Sequence, residues 1–235
     1  MSDPIVSRAV WAREPKAALT GRALLDLWDA GHRAHPIDGA ISVLASALDE
    51  SPRLLQRLPV GERDRRLLGV RQATLGDRVD ARTSCPSCGV ELEFTLSCAH
   101  LMQGADPSLS TTWDLQRDGY RLTVRLIDSL DTAAAARTGE VEVGTAVLLE
   151  QAVVSADCDG EAVAVGDLPG LLVDAVAASV AEHDPLAEIA LSCLCQACGH
   201  GWSAPFDVAS FVLAELITDG ERILAEVDTL ARAYD

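Results

Sequence analysis

Two short cysteine motifs constrain this chain more than any other feature. They are Cys85-Pro86-Ser87-Cys88-Gly89 and Cys195-Gln196-Ala197-Cys198-Gly199. Two cysteines with two residues between them reach one metal ion from a tight turn. The glycine that follows allows the positive φ that turns backbone N–H groups toward the sulfurs. Around the first motif, Val79 and Ala81, then Val90, Leu92, Phe94 and Leu96, alternate with polar positions. Strands of about 187–194 and 201–206 flank the second. Each knuckle therefore reads as the turn of a β-hairpin, as in a zinc ribbon. Four thiolates around Zn²⁺ make a closed tetrahedral site, structural rather than catalytic. Cys88 and Cys195 are 107 positions apart, so the intervening residues must fold as an insertion. Closing that loop costs only a few kcal/mol, whereas structural zinc supplies on the order of 10.

Other readings of these thiols stay open. The two pairs could be unrelated, or one could be a redox CxxC. The redox reading needs a CxxC that opens a helix after a strand, and neither motif has that context. Cys193 lies on the same strand face as Cys195 and could replace it, and His200 could stand in as a ligand. Cys98 and Cys158 have no partner spacing, and His100 beside Cys98 reads as coincidence.

Composition narrows the class. The chain has 235 residues, 49% hydrophobic but only 4% aromatic, so one or two domains must pack mainly Leu, Val and Ala. The net charge of −17 is uneven: residues 1–82 carry 13 basic and 11 acidic groups, residues 83–235 carry 6 and 25. A nucleic-acid binder needs a basic footprint, which this balance opposes. No stretch approaches the roughly 20 apolar residues of a membrane span. The N-terminus has no apolar signal core, which points to a cytoplasmic setting with reduced thiols. Seven cysteines, an odd number, also argue against a full disulfide framework.

Apolar periodicity predicts helices over 18–31, 38–49 (Asp38 as N-cap), 61–74, 129–137, 143–155, 168–182 and 208–234. Residues 1–17, with the sole lysine Lys16, read as irregular. A second hairpin is expected around Asp118-Gly119. Asp207 caps the last helix, and Gly220 inside it suggests a kink. His32 and His35 have surface or capping roles, and His183-Asp184-Pro185 is a helix stop. Glu91, Glu93, Glu140 and Glu142 lie on solvent faces. No phosphate loop or nucleophile elbow is present. The arginines at 53, 57, 63, 65, 66, 71 and 78 read as a solvated helix face or as a docking surface for an acidic partner.

Three stretches together resemble a known family: LPVGERDRRLLGVRQATLGDRVDARTSCPSCGVELEF at 58–94, HDPLAEIALSCLCQACGHGWSAPFDVASFV at 183–212, and AELITDGERILAEVDTLARAYD at 214–235. They resemble the zinc-knuckle baseplate proteins of contractile phage tails and phage-tail-like injection systems. The resemblance implies a structural or assembly protein, not an enzyme, with structural Zn²⁺ held by Cys85, Cys88, Cys195 and Cys198. It implies that Trp202, Phe206 and Asp207 fix the second knuckle onto the C-terminal helix. It also implies other baseplate, hub or tail subunits as partners, in a symmetric assembly of several copies. Related chains are expected to continue past Tyr234 with a Trp-, Ser- and Arg-rich segment that this sequence does not contain.

The expected fold is α+β and helix-rich: a zinc ribbon interrupted by a long mixed insertion, with a long C-terminal helix. Its parts are an N-terminal helical region (1–77), ribbon halves (78–97 and 186–206), an inserted hairpin with helices (98–185) and the C-terminal helix (207–235). The expected function is a structural baseplate component acting through rigid protein contacts. The alternative is an assembly chaperone absent from the finished particle.

Overall fold

The computed structural model describes residues 18–31, 35–103 and 110–234. Lys16, His32 and Asp235, with the rest of 1–17, lie outside them. In chain order the helices and strands are α1 (Gly21–Gly31), α2 (Pro36–Leu48), α3 (Pro52–Leu55), α4 (Val60–Leu75), β1 (Arg78–Ser84), β2 (Glu91–Ser97), α5 (Cys98–Leu101), β3 (Thr112–Arg117), β4 (Tyr120–Arg125), α6 (Ser129–Ala136), α7 (Val141–Ala152), β5 (Val153–Cys158), β6 (Glu161–Ala162), α8 (Gly170–His183), β7 (Ile189–Leu194), β8 (Gly201–Phe206) and α9 (Val208–Tyr234). The fold is α+β, with small antiparallel sheets and a long C-terminal helix. No helix among the described residues is long and apolar enough to cross a membrane.

Contacts divide the chain into two compact units. The first comprises Met1–Leu55, Asp64–Gln103 and Glu188–Asp235, the second Gln56–Arg63 and Gly104–Ala187.

In the first unit, α1 and α2 pack against α9. Gly220 of α9 makes this possible: a Cβ there would meet Trp28 Cβ at 3.0 Å and the Leu24 carbonyl at 3.3 Å. Gly220 thus has a packing role besides any effect on the helix axis, since a close helix crossing needs the missing side chain. Asp207 starts α9 by accepting from the Ser210 N–H at 3.1 Å. Phe206 and Phe211 close a hydrophobic staple across that cap, with ring centroids 5.0 Å apart. The start of α2 differs from expectation. His35, not Asp38, is the N-cap, accepting at Nδ1 from the Ile37 N–H, because Pro36 takes the first helical turn, where its missing N–H costs nothing.

The second unit is built on the sheet β3-β4-β5-β6. Its inner face, with Leu122, Val124 and Ala156, packs on Leu168, Leu172 and Val176. Two further strands appear where a helix over 143–155 and a loop were expected. The helix α7 ends at Ala152, and Val153–Cys158 pairs with β4. β-branched Val153 and Val154 and a tight turn at Asp159-Gly160, both with positive φ, carry the chain into β6.

The arginine stretch is not one solvated face: Arg53, Arg57 and Arg78 are exposed, but three of the seven turn inward. Arg63, Arg66 and Arg71 are 5%, 1% and 3% exposed. In the first unit, Arg66 Nη1 lies 3.7 Å from Glu50 Oε2, and Arg71 donates to both oxygens of Glu215. In the second, Arg63 donates to Ser129 Oγ at 3.2 Å and Arg57 to Asp128 at 3.3 Å. Helical periodicity reveals which face an arginine is on. It does not reveal a carboxylate that arrives from a remote part of the chain and makes burial tolerable.

Candidate metal centre

The two knuckles are built alike. β1 and β2 pair from Arg78↔Ser97 to Ser84↔Glu91, which leaves Cys85–Val90 as the connecting turn. β7 and β8 pair from Ile189↔Phe206 to Leu194↔Gly201, which leaves Cys195–His200. In the first turn the Cys85 N–H donates to Val90 O and the Gly89 N–H to Cys85 O, both at 2.9 Å. In the second the Cys195 N–H donates to His200 O and the Gly199 N–H to Cys195 O, also at 2.9 Å. Gly89 and Gly199 have φ of 74° and 73°, a conformation that costs a residue with a Cβ. Val90 was read only as a strand residue and His200 only as a possible ligand, whereas the carbonyl of each closes its turn. The signal was available, because each occupies the same place in its motif.

The turns bring together Cys85, Cys88, Cys195 and Cys198, whose sulfurs all lie within 4.8 Å of one another. Cys85 and Cys198 are 3.7 Å apart, Cys88 and Cys195 3.6 Å. Those separations are far beyond an S–S bond of about 2.05 Å, and all four cysteines are free. The first cysteine of each motif is buried and the second exposed. Among the described residues this is the group of His, Cys, Asp or Glu donors arranged to hold a metal ion.

Charge is distributed unevenly over the sulfurs. The backbone N–H of Cys198 leads the groups that lower Cys195, whose thiol falls to about 7. The Val90 N–H pulls Cys88 down, but the Cys198 sulfur, burial and the other two sulfurs outweigh it and push the thiol up to about 12. Crowded thiols cannot all ionise without a cation between them. The donor set thus fits a soft dication, which would hold four thiolates.

The other candidates lie apart from this cluster. Cys193 Sγ is directed to Leu191 O at 3.6 Å. The His200 ring stacks on Trp202, with centroids 6.0 Å apart. Cys98 is buried beside Arg71, 3.9 Å from Nη1, and Cys158 lies at the end of β5 in the second unit. Glu91, Glu93, Glu140 and Glu142 are exposed. Asp184 does more than stop a helix: it is 8% exposed and accepts from the Gly61 N–H at 3.0 Å.

The family described as T4 bacteriophage base plate protein matches residues 37–213, a span that includes both knuckles, the whole of the second unit and part of the first. The chain belongs to that family. No curated protein and no solved structure matches it. Family membership gives this baseplate protein a structural role in a phage particle, and the four-cysteine cluster lies within the family's matched region.

Proposed function

We propose that this chain is a zinc-braced structural component of the baseplate of a contractile phage tail or injection system, working through contacts with other baseplate, hub or tail subunits. The observation that carries the reading is the convergence of two hairpins, remote in sequence, on one four-sulfur cluster within a baseplate-family chain. Sulfurs bound at about 2.3 Å to a tetrahedral Zn²⁺ are separated by about 3.8 Å, close to the 3.6 and 3.7 Å found here. Cys85, Cys88, Cys195 and Cys198 would hold the ion, and it would supply a rigid cross-link rather than chemistry, since four thiolates leave no position for water or substrate. The hairpins β1-β2 and β7-β8 then form the two halves of a zinc ribbon. The insertion between them is accommodated because loop closure grows only slowly with length.

Several copies within a symmetric particle, assembled in the cytoplasm of the producing cell, fit this reading. The test is the composition of purified particles. The chain should be present at fixed stoichiometry, and Cys88→Ser should reduce its incorporation. A chain needed for assembly but absent from finished particles would make it a chaperone instead.

A further inference from the structure

The four sulfurs that converge between the knuckles are not equivalent. Cys85 and Cys195 are 2% and 1% exposed, whereas Cys88 and Cys198 face solvent. Each exposed sulfur touches a buried sulfur of the opposite hairpin. Cys88 Sγ lies 3.6 Å from Cys195 Sγ, and Cys198 Sγ 3.7 Å from Cys85 Sγ. Both contacts therefore run between the knuckles, across 107 and 113 positions of sequence. An accessible thiolate with a second sulfur in contact is the arrangement of a peroxide-reactive cysteine and its resolving partner. Two of the remaining cysteines are placed otherwise: Cys98 is buried beside Arg71, and Cys193 is directed to the Leu191 carbonyl.

We propose that the cluster is also a peroxide-responsive site, which converts from a metal brace into two disulfides between the hairpins. The exposed Cys88 thiolate attacks one oxygen of hydrogen peroxide. The O–O bond breaks, hydroxide leaves, and Cys88 becomes a sulfenic acid. The Cys195 thiolate then attacks the Cys88 sulfur, forms the S–S bond and expels that oxygen as a second hydroxide. Peroxide is reduced by two electrons and the sulfur pair is oxidised by two. Cys198 and Cys85 react in the same way with a further peroxide. Each pair closes by roughly 1.6 Å to reach an S–S length of about 2.05 Å.

The ionised state of the sulfurs rests on the metal reading above, because a coordinated thiol is deprotonated. Their contacts do not depend on it. A disulfide that closes so long a loop restricts the unfolded chain, so the hairpins stay joined after the metal is gone. A particle built in a reducing cytoplasm then keeps its brace in oxidising surroundings.

The test treats the purified, zinc-loaded full chain with hydrogen peroxide. Zinc release is read with a coloured chelator, sulfenic acids are trapped by dimedone at short times, and disulfides are mapped by mass spectrometry without reduction. Among the four cysteines, dimedone should mark Cys88 and Cys198 alone. Cys88–Cys195 and Cys85–Cys198 bonds should then accumulate as zinc is released. The oxidised chain should melt within about 5 °C of the zinc-loaded one, and the chain stripped of metal but kept reduced should melt lower. Thiol reductant with added zinc should restore the starting state. Bonds within a knuckle, bonds between chains, sulfinic acids without disulfides, or dimedone on Cys85 or Cys195 overturn the proposal, as does a cluster that peroxide leaves unchanged. Any of these from a chain that holds zinc leaves the brace reading intact. A chain that purifies without metal yet forms both bonds between the knuckles retains the peroxide site and overturns the zinc reading.

Discussion

Arg71 and Glu215, 144 positions apart, face each other through two parallel hydrogen bonds of 2.8 and 2.9 Å. The Arg71 side chain is 4% exposed, and its guanidinium also donates to the Gly76 carbonyl. The hydrogen bonds it donates to Glu215 hold the guanidinium above its usual pKa against the opposing effect of burial, so it stays charged. Removing one partner leaves a buried charge without compensation. Glu215→Gln should destabilise the chain by about 2–3 kcal/mol, since the carboxylate is only partly buried, and Arg71→Ala by at least as much. Arg71→Lys should not restore stability, because an ammonium cannot make the two-pronged contact. Chemical denaturation of the single and double variants checks the coupling, which should exceed 1 kcal/mol, the order seen for groups in direct contact.

Gly61 is enclosed by Asp184. Its N–H donates to the Asp184 carboxylate at 3.0 Å, and a Cβ would overlap that carboxylate and lie 3.0 Å from the Ala187 nitrogen. Gly61→Ala should therefore cost about 3 kcal/mol, despite the better helix propensity of alanine. At this chain length that is roughly 6–12 °C in melting temperature. Asp184→Asn keeps the size but weakens the acceptor, and should cost about 1–2 kcal/mol.

Asp131 gives the second unit an acid sensitivity. Burial raises its pKa, but the hydrogen bonds from Arg125 and from the Asp128 N–H outweigh that effect and hold the carboxyl below the usual carboxylate range. A carboxyl lowered in the folded state contributes stability that is complete above the unfolded value of about 4. That contribution is lost as the pH falls through the lower folded value. Denaturation midpoints measured from pH 5 to pH 2 should fall, and Asp131→Asn should flatten the fall while lowering stability at pH 7.

What the residues disclosed depended on how local the cause was. The extent of α9 followed from its apolar stripe and the Asp207 cap, and the knuckles from spacing and glycine, because these causes lie within a few residues. The strand at Val153–Cys158 was hidden because an apolar run directly after a helical one has no periodicity of its own to separate it. The packing role of Gly220 was hidden because the close crossing by α1 depends on Trp28 and Leu24, which no local pattern links to it. The buried arginines failed for the same reason: Glu215 and Glu50 reach Arg71 and Arg66 only once the chain has folded. The sulfur cluster lay between these cases: the two like hairpin motifs pointed to one shared site, but nothing local in either motif fixes their joining across 107 positions.

Elemental analysis of the purified full chain, combined with a melting curve before and after chelation, tests the joined site most directly. About one zinc per chain is expected, with a lower melting temperature once the metal is removed. Cys88→Ser and Cys198→Ser should each lower zinc content and stability together. A folded chain that binds no metal, or that keeps its full stability when the metal is stripped, would contradict the account.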